Sequence, residues 1–226
     1  MKSVFALGAI AAAALLSAVS PAQAAPALSF SIDNGATWVT VSDGGAGDLN
    51  PLANVITFVG SLGSFEVNAT TGLGNLFSPV NLLDLSSINA NALAAGSLTI
   101  RFSDTGFTDI ARLVGQWGGT VSGAASVTAS AYAGTSNTLF EQSILLGTMG
   151  PQTSTNGIGG MGAFANMFSS LSPISGPYSL TQVITITTTG PSNYSGDFEL
   201  IPEPGTLALA GAALLALGAL RRRQAA

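Results

Sequence analysis

Asp43, Asp48 and Asn50 bring three oxygen-bearing side chains together within eight residues of a glycine-rich turn. Oxygen ligands are what calcium takes, so these residues are the candidate metal ligands. Their spacing matches neither an EF-hand loop nor a nonapeptide calcium repeat, and the reading it favours is a polar turn between strands, with calcium as the alternative. A second charged group sets Asp104 and Asp109 beside Arg101 and Arg112 and reads as a surface charge cluster. Two carboxylates alone can hydrolyse a glycoside, and Asp84, Glu66, Glu141 and Asp104 are available for that chemistry. Spacing singles out no pair among them, so no residue is nominated as catalytic. Trp38, Trp117, Tyr132, Tyr178 and Tyr194 offer ring faces on which a sugar could stack. Trp117, flanked by Gln116, Gly118 and Gly119, is expected on a loop and is the candidate glycan contact, whereas Trp38 falls within an alternating strand and reads as core.

The residue types that are missing narrow the chemistry further. The chain has 226 residues with no His and no Cys. That removes an imidazole base, a Ser-His-Asp or Cys-His pair, zinc-finger, haem and iron-sulfur ligation, and any disulfide framework. No cofactor is expected, calcium apart. Nucleic acid is an unsuitable partner, because the six bases are scattered: Lys2, Arg101, Arg112 and a terminal Arg221, Arg222 and Arg223. Residues 25–201 hold ten acids and two bases, a surface that repels anionic polymers unless a divalent cation bridges them.

The elements that must position these residues have a period of two. Leu28, Phe30 and Ile32 alternate with Ser29 and Ser31; Leu98, Ile100 and Phe102, and then Ala125, Val127, Ala129 and Ala131, repeat the pattern. Turn sequences such as Asp33-Asn34-Gly35 and Asp104-Thr105-Gly106 separate the runs. About nine strands at this spacing predict an all-β antiparallel sandwich or jelly roll. Alternation fails over Val80 to Ala95 and Gly162 to Leu171, where helical or irregular insertions are expected.

Both termini read as address segments. Lys2 precedes an apolar run from Val4 to Val19, then Pro21 and the small-x-small triplet Ala22-Gln23-Ala24. These are the parts of a signal peptide over residues 1–24, cleaved after Ala24, with export through the secretion translocon. At the other end Pro202-Glu203-Pro204-Gly205-Thr206 leads into an apolar run and then Arg221, Arg222 and Arg223. A helix over 205–220 would span about 24 Å against a hydrocarbon core of about 30 Å, a thin crossing of the inner membrane. The arginines hold that end inside and leave the body, residues 25–201, outside.

The tail, residues 202–226, resembles the PEP-CTERM sorting signal of Gram-negative bacteria, in which motif, helix, basic end and signal peptide occur together in this order. The resemblance implies that Pro202, Glu203 and Pro204 are the motif read by an exosortase, a membrane-embedded enzyme that removes the helix and Arg cluster 221–223. The family's occurrence in exopolysaccharide-forming bacteria implies cell-surface or extracellular placement. The leading expectation is thus an exported, non-enzymatic surface or matrix protein. The alternatives are a carbohydrate-binding module for extracellular polysaccharide and a carboxylate-dependent glycan hydrolase.

Overall fold

The computed structural model describes residues 25–74, 82–108, 112–154, 161–171 and 176–202. They form ten antiparallel strands: β1 (Ala27–Ser31), β2 (Val39–Ser42), β3 (Val55–Leu62), β4 (Phe65–Leu73), β5 (Leu83–Ala92), β6 (Gly96–Phe107), β7 (Arg112–Gly134), β8 (Ile144–Thr153), β9 (Met161–Leu171) and β10 (Tyr178–Pro202). The described residues include no helix and therefore no helix able to cross a membrane. The expected signal segment and its Ala22 and Ala24, the helix over 205–220 and Arg221, Arg222 and Arg223 lie outside the described residues.

Two strands organise everything else. β7 and β10 run side by side for most of their 23 and 25 residues, and each takes different partners along its two halves. The first half of β10 pairs with β6, which carries β1 and β2, and the adjoining half of β7 carries β8. The second half of β10 pairs with β5, which carries β4 and β3, and its stretch of β7 carries β9. The result is two half-sheets, β2-β1-β6-β10-β7-β8 and β3-β4-β5-β10-β7-β9, sharing the bent β7–β10 ribbon.

The bend falls where the β7–β10 register breaks, between Thr188 and Ser192. Opposite it Gly123 has φ +75°, and a Cβ there would run into the carbonyl oxygen of Pro191. Only glycine suits both the backbone conformation and the close approach of the two strands. Sequence patterning reads the two arms of β10 as separate strands, because the kink interrupts the alternation.

The half-sheets face one another across one core. Phe30 of β1 lies 4.6 Å, ring to ring, from Phe58 of β3. The Phe102 ring of β6 fills the space that a Cβ on Gly72 of β4 would take, at 2.7 Å. Gln182, buried on the first half-sheet, donates from Nε2 to the carbonyls of Leu83 (3.1 Å) and Phe198 (2.6 Å) on the second. That polar tie inside an apolar core fixes the relative register of the two layers, since shifting it would strand two carbonyls and an amide away from water.

Two expected insertions are strands. In β5 the residue pair Ser86 and Ser87 stands opposite Asp197 alone, a two-against-one bulge with Ser87 at φ +54°. The bulge shifts the buried positions from Leu83 and Leu85 to Ile88, Ala90 and Ala92, so a single period of two does not fit the segment. In β9 the alternation is present in burial but not in polarity, because the outward positions include Met161 and Met167, the latter 73% exposed.

Candidate functional site

Antiparallel register lines up polar side chains on the outer face of the second half-sheet. Ser61, Glu66, Asn91 and Asn193 are successive cross-strand partners on β3, β4, β5 and β10. The next row is Val59, Asn68, Asn89 and Ser195. Period two sends the intervening Phe65, Val67, Ala90 and Tyr194 into the core, so the polar rows follow from the strand pattern itself. Together the rows line a groove of about 480 Å³.

The groove's chemistry is that of carboxamides. Each amide side chain carries donors and an acceptor without net charge, so four Asn on adjacent strands offer alternating donors and acceptors about 4.8 Å apart across the sheet. Asn91 donates from Nδ2 to Glu66 Oε2 (3.0 Å), which orients both groups, and Asn89 donates to the Ser87 carbonyl (3.2 Å). Val59, 56% exposed, gives one wall an apolar surface. Such a surface can hydrogen-bond a hydroxyl-rich neutral ligand lying across the strands.

Farther along the same face, a second groove of about 410 Å³ is lined by Gln116, Ala165, Met167, Asp197 and Glu199 among others. Glu199 stands directly opposite Asp84 on β5. Asp84 is only 8% exposed and its Oδ1 has no hydrogen-bond partner. Burial first, then the charges of Glu199 and Asp197, push its carboxyl up from 3.8 to about 7. Asp197 accepts the Ser87 N–H at the β5 bulge (2.5 Å). These grooves depend on Asn89, Asn91, Asn193, Asp197 and Glu199, which sequence analysis did not single out. The outward Asn89 and Asn91 of Ile88-Asn89-Ala90-Asn91-Ala92 were the available signal, hidden by the bulge before them.

The sequence candidates are placed as follows. Trp117 is not on a loop: it lies within β7, is 1% exposed, and packs against Phe164 with ring centroids 4.4 Å apart and planes tilted by 53°. Its Nε1 donates to the Tyr194 hydroxyl (2.9 Å), so it packs the core and presents no ring to a glycan. Of the flanking glycines that suggested a loop, Gly119 is a close-approach position, where a Cβ would strike the Ser195 carbonyl of β10. Trp38 is half-buried beside the first half-sheet, with the Arg101 guanidinium carbon 3.3 Å from its ring centroid and 4.7 Å from that of Phe140. Tyr178 is buried and stacks on Phe107, and Tyr132 is half-buried.

The Asp43, Asp48 and Asn50 side chains hold the turn together. Asp48 accepts the N–H groups of Gly44, Asn50 and Thr57, each at 2.9 Å, and Asp43 accepts that of Asn54 at 2.9 Å. Asn50 accepts from the Leu52 N–H and donates to Thr57 Oγ1. Among the described residues no group of three or more His, Cys, Asp or Glu is placed to hold a metal ion.

The expected surface cluster is not all at the surface. Asp104 is fully buried, sharing the inward parity of Ile100 and Phe102, while Arg101 faces outward; Asp109 lies outside the described residues. The four carboxylates considered for hydrolysis have different surroundings. Glu66 is in the amide groove, Asp84 lies near the far end of β5, Asp104 is in the core, and Glu141 braces the β7–β8 loop by accepting from Ser136, Thr138 and Ser143.

Comparison with known proteins bears mainly on the tail. No curated protein matches the chain. Among solved structures, the carbohydrate-binding module TmCBM61 in complex with β-1,4-galactotriose is 13% identical, covering 70% of this chain and 92% of that one, with a TM-score of 0.35. The C-terminal carbohydrate-binding module of LamC from Zobellia galactanivorans is 13% identical over 50% and 78% of the two chains, with a TM-score of 0.27. Infectious bursal disease virus (Gx strain) is 17% identical over 74% and 42%, with a TM-score of 0.34. At these scores no binding residue is carried over to this chain. The tail is different: residues 200–223 match the PEP-CTERM protein-sorting motif, which this chain therefore carries.

Proposed function

We propose that the chain is an exported, non-enzymatic surface or matrix protein whose β-sandwich body, residues 25–201, binds extracellular polysaccharide. In this reading Pro202, Glu203 and Pro204 are read by an exosortase. The helix over 205–220 is a transient inner-membrane anchor, and Arg221, Arg222 and Arg223 set its orientation. The observation that carries the binding reading is the groove of amide and hydroxyl side chains across β3, β4, β5 and β10. Its amide and hydroxyl donors and acceptors, with the carboxylate of Glu66 among them, on a body with ten acids and two bases, suit a neutral rather than an anionic glycan.

The test is a binding isotherm of the full chain in detergent micelles against neutral and acidic fractions of the host's own polysaccharide, repeated with Asn91→Ala and Asn193→Ala. Saturable binding of the neutral fraction, weakened roughly two- to tenfold by each substitution, is expected from the loss of one or two hydrogen bonds. No binding of either fraction would leave a purely structural surface protein. A glycan hydrolase is the second reading, favoured by the Asp84 carboxyl held at about 7 opposite Glu199. Absence of turnover on a broad glycan panel would remove it.

A further inference from the structure

The central strand of the body runs directly into the sorting motif. Leu200 pairs on both sides, with Leu83 in β5 and Gly115 in β7. Beyond it, among the described residues, Ile201 and Pro202 pair with β7 alone, opposite Val114 and Leu113. Those β7 residues are held from behind by Ser169 and Ser170 of β9, and Leu113 and Leu200 are both fully buried. Glu203 follows Pro202 by one peptide bond, so its Cα is about 3.8 Å from a residue still in the sheet. No linker separates the body from the motif.

An enzyme that cuts a peptide must enclose an extended stretch on both sides of the bond. Paired strands lie about 4.8 Å apart, which leaves no space for the wall of a cleft between β10 and β7. Ile201 and Pro202 therefore cannot pair with Val114 and Leu113 and occupy a cleft at the same time. We infer that this last stretch of β7–β10 pairing gates removal of the tail, with the folded body and the processing enzyme competing for Ile201 and Pro202. The inference rests on the exosortase reading and adds its regulation. The reaction breaks one peptide bond. The body keeps the acyl half and passes it to water or an amine, whose proton goes to the new amino group of the tail.

The gate opens on one side only. Because β5 pairing ends at Leu200 among the described residues, release of Ile201 and Pro202 breaks their described pairs, which are to β7, and leaves the core pairs in place. Strand ends fray far more readily than strand centres, so the folded protein is cut at a rate set by that fraying. The gate also sets an order of events. β10 is the last of the described strands in sequence and is shared by both half-sheets, so a chain whose β10 has not yet zipped presents an open motif. Processing is fastest then and slows once the ribbon closes.

Pulse-chase of the full chain in its host, following tailed and cut forms, tests this with two variants. A six-residue Gly-Ser insert between Ile201 and Pro202 keeps the motif and moves it off the sheet, and cutting is expected to speed up about threefold or more. Val114→Cys with Ile201→Cys places thiols on directly opposite residues, within bridging distance for paired strands, in a protein with no other cysteine. Once oxidised, the pair is expected to slow cutting about tenfold relative to the same double variant kept reduced, with Val114→Cys alone cut at the same rate under oxidising and reducing conditions. Equal rates for wild type, insert and bridged pair would overturn the gate. If the pair stays reduced, the insert decides. A wild-type chain that is never cut, in a host that processes other tailed proteins, would overturn the exosortase reading instead.

Discussion

The indole N–H of Trp117 donates to the phenol oxygen of Tyr194 at 2.9 Å, joining β7 to β10 inside the core. Burial holds the Tyr194 hydroxyl well above its ordinary pKa, against the opposing effect of the bond from Trp117. Tyr194→Phe would leave a buried indole N–H without an acceptor, and is expected to cost about 1–3 kcal/mol. Trp117→Ala, which also empties the space against Phe164, is expected to cost about 3–5 kcal/mol. Denaturant unfolding followed by tryptophan fluorescence measures both. Polysaccharide affinity of the folded Tyr194→Phe protein should be unchanged; a large loss of affinity would contradict the placement of Trp117 in the core.

Asp84 makes stability depend on pH in an unusual direction for a carboxylate. Its folded pKa of about 7 exceeds its ordinary 3.8, so the folded state keeps a proton that the unfolded chain has released. Its contribution is fully present below about 4 and is lost as pH rises to about 7. Asp84→Asn should therefore raise the denaturation midpoint at pH 8 and flatten its slope between pH 5 and 8. Asp33 acts oppositely: hydrogen bonds from Thr37 and Ser31 lower its carboxyl to about 2, so its contribution is lost as pH falls below about 4. A midpoint for Asp84→Asn that follows the wild-type pH curve would rule out the buried proton.

Arg101 lies over two rings, 3.3 Å from the centroid of Trp38 and 4.7 Å from that of Phe140, and burial lowers its pKa. Trp38→Ala is expected to destabilise by about 1–2 kcal/mol, in the range of a partly desolvated cation–π contact. Arg101→Lys should recover little of the wild-type stability, because a rounded ammonium does not stack on a ring face. Thermal unfolding of the two variants decides this, and an Arg101→Lys protein as stable as wild type would argue against the stack.

Gly123 sets the bend that lets one ribbon serve two half-sheets. Gly123→Ala meets both the +75° φ and the Pro191 carbonyl, and is expected to cost about 1–3 kcal/mol. The same change at Gly44, which also has positive φ but open space around it, should cost less. Comparing the two midpoints separates backbone strain from collision, and equal losses would mean that the Pro191 contact carries no weight.

Local chemistry made part of this protein legible in advance. Alternation in Leu28-Ser29-Phe30 and Leu98-Thr99-Ile100 predicts strands because side-chain direction along an extended chain has a period of two, whatever the rest of the fold does. Pro202-Glu203-Pro204 ahead of an apolar run and three arginines is likewise a linear signal, and it matched as one. Missing His and Cys excluded whole reaction classes without any coordinates.

What the linear chain could not give is everything that depends on who stands opposite whom. The bulge at Ser86 and Ser87 breaks the pattern of β5 for a reason located on β10, at Asp197. Gly118 and Gly119 resemble loop residues in sequence, yet they are strand residues, made small at Gly119 by the backbone of β10. Asn68, Asn89, Asn91 and Asn193 are spread over 126 residues and become one surface only through cross-strand register. By itself the sequence determined the strands whose alternation is unbroken, the excluded chemistry and the sorting tail, because each is written in neighbouring residues. The groove, the buried Trp117 and the junction of β10 with the motif were decided by tertiary pairing, which brings together residues that have no proximity along the chain.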